Sequence, residues 1–377
     1  MKLQVILGAA LLFTALSTVN LLRGLALSPM EWDAEAEERE VPADPYEVGY
    51  ADFIEGIKAM ERFSTTGRFV WSTHGLLEAA RWGEGRRLRV MVVGQLHGRE
   101  MFSAELVRLW MLSMLTARNP DAGRVEWMMV PSASPCGRDL VAEGYASLRS
   151  FRGVNRTKDW QVCKRTSCTG VDLNRNWATE RGLLDAADEG RVHWDRSPET
   201  NPGDEAFSEP ETSELRLLLH DYAPHILLNI HTGTVGIKAP PEDGSSQKPL
   251  NLPKIMLVKA WLEMKSNCCI GRPRMSSKIS QGSMTDYAAR RIMTPAPLTL
   301  EVYKRDPVGS APLNHSRSAE EYVGNERWGD DPSECFSVFN PPSNHLVAEA
   351  TPWLRIWRAL FYLNDRDLKF LEDSLIE

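Results

Sequence analysis

Several things are scarce or missing in this 377-residue chain, and each absence narrows what it does. It has no CxxC pair, so a cysteine-built zinc site is not expected. It has no basic excess: 44 Lys and Arg against 51 Asp and Glu leave a formal charge of −7. That is the wrong sign for a phosphate backbone, and no nucleic-acid partner is expected. No internal repeat or low-complexity tract marks a repeat architecture. Histidine is sparse, at eight residues. What is abundant is apolar content, 42% of the chain, enough for a sizeable core in one large α/β domain or two smaller ones.

The N-terminus, "MKLQVILGAALLFTALSTVNLLRG", has Lys2, an apolar run from Val5 to Leu16, and small residues at Ala15 and Ser17. This reads as a signal peptide over residues 1–27, with secretion or a lumenal location. The alternative is an uncleaved membrane anchor, because Leu21 and Leu22 extend the span toward the roughly 20 residues a membrane helix needs. Thr14, Ser17, Thr18 and Asn20 weigh against it. Residues 28–48 are acidic and contain proline, the composition of a solvated linker. Asn155-Arg156-Thr157 and Asn314-His315-Ser316 fit the glycosylation acceptor pattern. Cys136, Cys163, Cys168, Cys268, Cys269 and Cys335 suit an oxidising compartment, and Cys163–Cys168 is the pairing to test first.

From Asp52 onward strands and helices alternate. Leu88 to Val93, Val125 to Val130, His225 to Ile230 and "APLTLEVY" read as buried strands. Phe102, Leu106, Leu109 and Leu112 recur at helical spacing, and "TPWLRIWRALFYL" carries an apolar helical stripe. In "FSEPETSELRLLLHDY" Ser208 and Glu211 fit a capping box, with Pro210 in the first turn. The pattern predicts an α/β domain with a central mixed, largely parallel twisted sheet flanked by helices. Ligands in such sheets gather beyond the carboxyl ends of the strands.

Ionisable residues stand at those ends. His97, Arg99 and Glu100 follow the first strand in "VVGQLHGREMFSAEL", His231 closes "LLNIH", and Glu301 lies in "LTLEVY". Taken singly, each suits a solvated loop. Together they offer two imidazoles and a carboxylate for zinc, plus a second carboxylate.

"HGRE", "GVDLNRNW", "NPGDEAFSEPET", "NIHTG", "GSMTDY" and "LTLEVY" follow in order between Val92 and Tyr303. In this the chain resembles the zinc metallocarboxypeptidases of the carboxypeptidase A/B type. "ECFSVFNPPSNHLVAEATPWLRIW" looks like an uncharacterised plant-type branch. The resemblance implies a catalytic domain over residues 49–377. It also implies one Zn2+ held by His97, Glu100 and His231, with Asp172 orienting an imidazole ligand. Asn174 and Arg175 would grip the substrate's terminal carboxylate, Arg99 would line the groove, and Glu301 would be the general base. The substrate would be a peptide or protein with a free C-terminus, and a monomer is expected.

Some positions depart from the family pattern. Arg165, seven residues before Asp172, is the first choice for stabilising an oxyanion, with Arg152 and Arg156 as rivals. Lys278 or a neighbour falls where a pocket-capping tyrosine is usual. Thr285 sits at the pocket floor or caps a helix before Asp286, and names no preferred side chain. Only about seventy residues precede His97 after the expected cleavage site, too few for a domain-sized pro-segment. Two other functions compete: an amidase or deacylase on small carboxylated amides, and a non-catalytic binding protein on the same scaffold.

Overall fold

The computed structural model describes residues 44–64, 67–117, 124–150, 159–178, 198–240, 252–267, 282–305 and 331–376. The expected signal peptide, most of the expected linker, both glycosylation sequons, Arg152, Arg156, Lys278, Cys268 and Cys269 lie outside the described residues.

In chain order the strands are β1 (Val70–His74), β2 (Leu77–Trp82), β3 (Leu88–Val93), β4 (Val125–Val130), β5 (Ile226–His231), β6 (Thr234–Lys238) and β7 (Ala296–Tyr303). They form one sheet in the order β1-β2-β4-β3-β5-β7-β6. The central β4, β3, β5 and β7 run parallel, while β1, β2 and β6 join antiparallel at the edges. This is the mixed, largely parallel sheet expected from the sequence.

The apolar runs have no alternation because both faces of the central strands are covered. On β3, Val90 and Val92 join one core cluster and Met91 and Val93 the other. Helices α1 (Tyr50–Met60), α2 (Met101–Leu115) and α3 (Pro135–Arg149) contribute to the first cluster. The second cluster takes residues from α4 (Pro210–Tyr222). Later in the chain come α5 (Leu252–Ser266), α6 (Met284–Tyr287), α7 (Pro332–Phe339), α8 (Leu346–Phe361) and α9 (Asp365–Leu375). Of these α6 packs on the second face, and α5, α8 and α9 on the first. Helix α8 holds Pro352 in its interior. A proline there costs about 3 kcal/mol. Burial of Trp353, Ile356, Trp357 and Leu360 offsets it, since each such side chain contributes about 1.5–3 kcal/mol.

Three expectations are corrected. The linker does not reach residue 48: Tyr46 is fully buried and its hydroxyl donates to the Pro341 carbonyl at 2.9 Å. The capping box at Ser208 does not form, because α4 takes Glu209 as its N-cap with no side-chain cap bond. Ser208 Oγ instead accepts from Asn176 Nδ2 and donates to Glu209 Oε1. The disulfides are Cys136–Cys168 and Cys163–Cys335, not Cys163–Cys168. The turn Trp160–Cys163 packs against α7, which carries Cys335, while Cys136 lies in the first turn of α3. Among the described residues, no helix is long and apolar enough to cross a membrane.

Candidate metal centre

Beyond Val93 the chain turns at a point where only glycine fits. A Cβ on Gly94 would lie 2.6 Å from the Pro131 carbonyl oxygen and 3.1 Å from that of Ser103. Four residues later Gly98 is pressed against α3 and the Lys164 backbone, where a Cβ would meet Gly137 Cα and Lys164 O at 2.9 Å. The turn between is fixed by hydrogen bonds. Gln95 Nε2 donates to the Gly98 carbonyl at 2.9 Å, and Arg99 N to the Lys164 carbonyl at 2.8 Å. His97 and Glu100 are thereby aimed across the ends of β3 and β5 from a rigid loop.

His231 closes β5 and faces them. His97 Nδ1 lies 2.7 Å from Glu100 Oε1, and His231 Nδ1 lies 2.9 Å from Glu100 Oε2. The two Nδ1 atoms are 3.2 Å apart. Thr232 N adds a bond to Glu100 Oε2 at 3.0 Å. All three side chains are buried. Burial works to raise the Glu100 carboxyl, but His97 and His231 outweigh it and hold it well below the ordinary value.

Behind His97 stands Asp172, fully buried, with Oδ1 3.1 Å from His97 Nε2. This contact selects the tautomer protonated at Nε2 and leaves the Nδ1 lone pair facing Glu100 and His231. Arg165 in turn donates to Asp172 Oδ2 from Nε at 2.9 Å and Nη2 at 2.8 Å. Burial acts to raise the Asp172 carboxyl. The Arg165 charge, then His97, override it and hold it well below the usual carboxylate range. These contacts place Arg165 behind Asp172, where it positions that carboxylate. From the sequence Arg165 is the first choice for stabilising an oxyanion, with Arg152 and Arg156, outside the described residues, as rivals.

The remaining expected residues gather nearby, with differences. Glu301 on β7 is the register partner of His231, and its Oε1 accepts from Lys238 Nζ at 2.7 Å. Asn174 Nδ2 is 3.5 Å from His231 Nε2, and Asn174 Oδ1 accepts from Met284 N at 3.1 Å. Arg175 is buried beside it, with Nη1 donating to the Asn174 carbonyl at 3.0 Å. Arg99, expected to line the groove, is not exposed at the surface. It is buried between Glu199, at 2.9 Å, and the Phe339 ring, 4.2 Å from the guanidinium carbon. Nor does Thr285 cap a helix: Ser283 caps α6, and Thr285 Oγ1 lies 2.9 Å from Thr299 Oγ1.

Two residues were overlooked by the sequence reading. Asn340, just beyond α7, donates to the Arg99 carbonyl at 2.8 Å and accepts from Phe102 N at 2.9 Å. It holds both sides of Glu100. Asn176 is fully buried; its Nδ2 donates to Pro202 O and Glu205 O, and its Oδ1 accepts from Glu209 N. It fastens "NPGDEAFSEPET" to "GVDLNRNW". The asparagine in each motif was visible in the sequence, but its distant partners were not.

Two imidazoles and a carboxylate whose ligand atoms lie within 4.8 Å of one another fit a zinc ion, with a fourth position left for water or substrate. The sequence pattern of the zinc carboxypeptidases matches residues 73–312, more than half of the chain. No curated protein sequence matches it. Among solved structures, thrombin-activatable fibrinolysis inhibitor is 14% identical with a TM-score of 0.55, covering 85% of this chain and 77% of that one. The bovine form of that protein, in complex with tick carboxypeptidase inhibitor, is 16% identical with a TM-score of 0.55, covering 86% and 99%. Carboxypeptidase A from Helicoverpa armigera is 17% identical with a TM-score of 0.52, covering 85% and 75%. At these identities the likeness shows the fold alone.

Proposed function

Because this chain belongs to the zinc carboxypeptidase family, we propose that it is a zinc exopeptidase removing one residue from the C-terminus of peptides or proteins. The observation that carries the reading is the convergence of His97, Glu100 and His231, with Glu301 in register beside His231. These three residues would hold the metal. When bound, zinc supplies Lewis acidity, polarising the scissile carbonyl and making water ionise near neutral pH.

The chain's own residues do the rest. Asp172 fixes the His97 ring, and Arg165 fixes Asp172. Arg175 and Asn174 take the terminal carboxylate, a planar ion suited to a guanidinium partner. Glu301 accepts the proton of the attacking water at its carboxylate and returns it to the leaving amine. A secreted or lumenal location is part of this reading, and two disulfides in one domain support it. The natural form is taken to be a monomer.

The test is release of the last residue from peptides with free or amidated C-termini, with and without a chelator. Free ends should be cut, amidated ends spared, and chelation should stop turnover. Glu301→Gln should lower kcat by about 10²–10⁴ at unchanged zinc content. Full turnover in that variant removes the base assignment, and equal cutting of amidated ends removes the exopeptidase one.

A further inference from the structure

The second face of the sheet changes character along its strands. Leu227 of β5 lies in the apolar cluster of that face, and alternation then places Asn229 and His231 on the same side. On β7 the matching positions are Thr299 and Glu301, the register partners of Asn229 and His231. Lys238 of β6 is in turn the partner of Thr299. Asn229, Thr299 and Lys238 therefore form one polar row across three adjacent strands, one pleat repeat below the His231–Glu301 pair.

Three features single this row out. Asn229 is fully buried, yet neither its amide nitrogen nor its oxygen has a hydrogen-bond partner. A buried amide in that state calls for an explanation, and a ligand is one. Thr285 of α6 closes the row from above through its contact with Thr299. Finally, Lys238 lies on an edge strand, where lysine usually guards against strand pairing. Here its ammonium folds back onto Glu301 at 2.7 Å, and its side chain is only 30% exposed.

The row also adjoins the carboxylate grip, because Asn174 Oδ1 holds the first residue of α6 and Thr285 is the next. A terminal residue held by its α-carboxylate at Asn174 and Arg175, with its carbonyl at the metal ligands, would have its side chain directed toward this row. We propose that Asn229, Thr285, Thr299 and Lys238 form the side-chain subsite for the C-terminal residue. Lys238 makes it select an acidic one, Asp or Glu. The inference rests on the exopeptidase reading above.

The chemistry is direct. The substrate carboxylate takes the Lys238 ammonium, and the Asn229 amide and the threonine hydroxyls donate to its other lone pairs. A large apolar side chain leaves Asn229 unsatisfied and strips water from Lys238. A cationic one meets a like charge.

The test uses the zinc-loaded full chain and peptides differing only in their last residue: Glu, Gln, Phe and Lys. Binding of N-acetylglutamate and N-acetylglutamine is measured in parallel by calorimetry. Glu should exceed Gln by about ten- to a hundredfold, in kcat/KM and in affinity. Lys238→Met should erase that ratio, and Lys238→Glu should invert it toward Lys. Should Phe or Lys be preferred by the wild type, or Lys238→Met keep the Glu preference, the subsite assignment is overturned while the exopeptidase reading stands. Should no peptide be cut while N-acetylglutamate still binds through Lys238, the exopeptidase reading fails and the subsite stands. Equal binding of the two acids, with no peptide cut, overturns both.

Discussion

Asp172 carries no net exposure and two strong partners, His97 on one oxygen and Arg165 on the other. Neutralising it should therefore act twice. Asp172→Asn breaks the buried ion pair with Arg165, a loss of about 3–5 kcal/mol for such a pair. It also removes the group that fixes the His97 tautomer, which should weaken zinc about 10–100-fold. Equilibrium denaturation and a zinc titration read the two effects separately. A variant that matched wild type in both would show that Asp172 does not organise the centre. The ligands were legible in the sequence because ionisable residues stood at the carboxyl ends of apolar strand runs, and Asp172 because "GVDLNRNW" resembles the zinc carboxypeptidase motif. Arg165 was legible as a candidate, but its role was not: spacing along the chain places a guanidinium near a site without saying which oxygen it bonds. Lys238 and Asn340 gave no such signal. Their partners are Glu301, 63 residues away, and Arg99, 241 residues away.

The buried strands were readable because covering both faces of a sheet requires an unbroken apolar run. β3, β4 and β7 stand where the runs stood, and β5 begins one residue later than expected. β1, β2 and β6 escaped: β2 is largely buried, but Glu78 and Arg81 interrupt its apolar run. β1 has no buried residue, and β6 is short and interrupted by Gly236, so neither repeats clearly at period two. One element contact carries a pH dependence. Where β5 begins, His225 Nδ1 accepts from Arg89 N at 3.0 Å, and His225 N donates to the Arg89 carbonyl at 2.9 Å. Burial, then the charges of Arg89 and Arg87, lower the His225 pKa from 6.5 to about 4. The folded protein thus favours the neutral ring. The stability it adds is fully present above the unfolded value of 6.5 and is lost as pH falls toward 4. His225→Leu cannot accept from Arg89 and should be about 1–3 kcal/mol less stable at pH 7. Denaturation midpoints of variant and wild type should converge between pH 6.5 and 4. A gap that stayed constant across that window would rule out this linkage.

Seen whole, the molecule builds its centre from segments far apart in the chain and then clamps them. The loop carrying Arg165 is held at both ends: Cys163 is bonded to Cys335 of α7, and Cys168 to Cys136 of α3. Its backbone bonds directly to Gly98 and Arg99, between the two ligands of that turn. Such clamping limits relative motion of the ligands and their supports, which a metal site of fixed geometry needs. None of this connectivity was readable from cysteine spacing, since two residues five apart in sequence proved to face different helices. The claim on which the rest depends is that His97, Glu100 and His231 share one ion. Zinc content of the purified full chain, wild type beside His231→Ala, measures it most directly. The account predicts about one zinc per wild-type chain and a nearly complete loss in the variant, which should remain folded. A wild type that takes up no zinc, or a His231→Ala protein that keeps it all, would contradict the account.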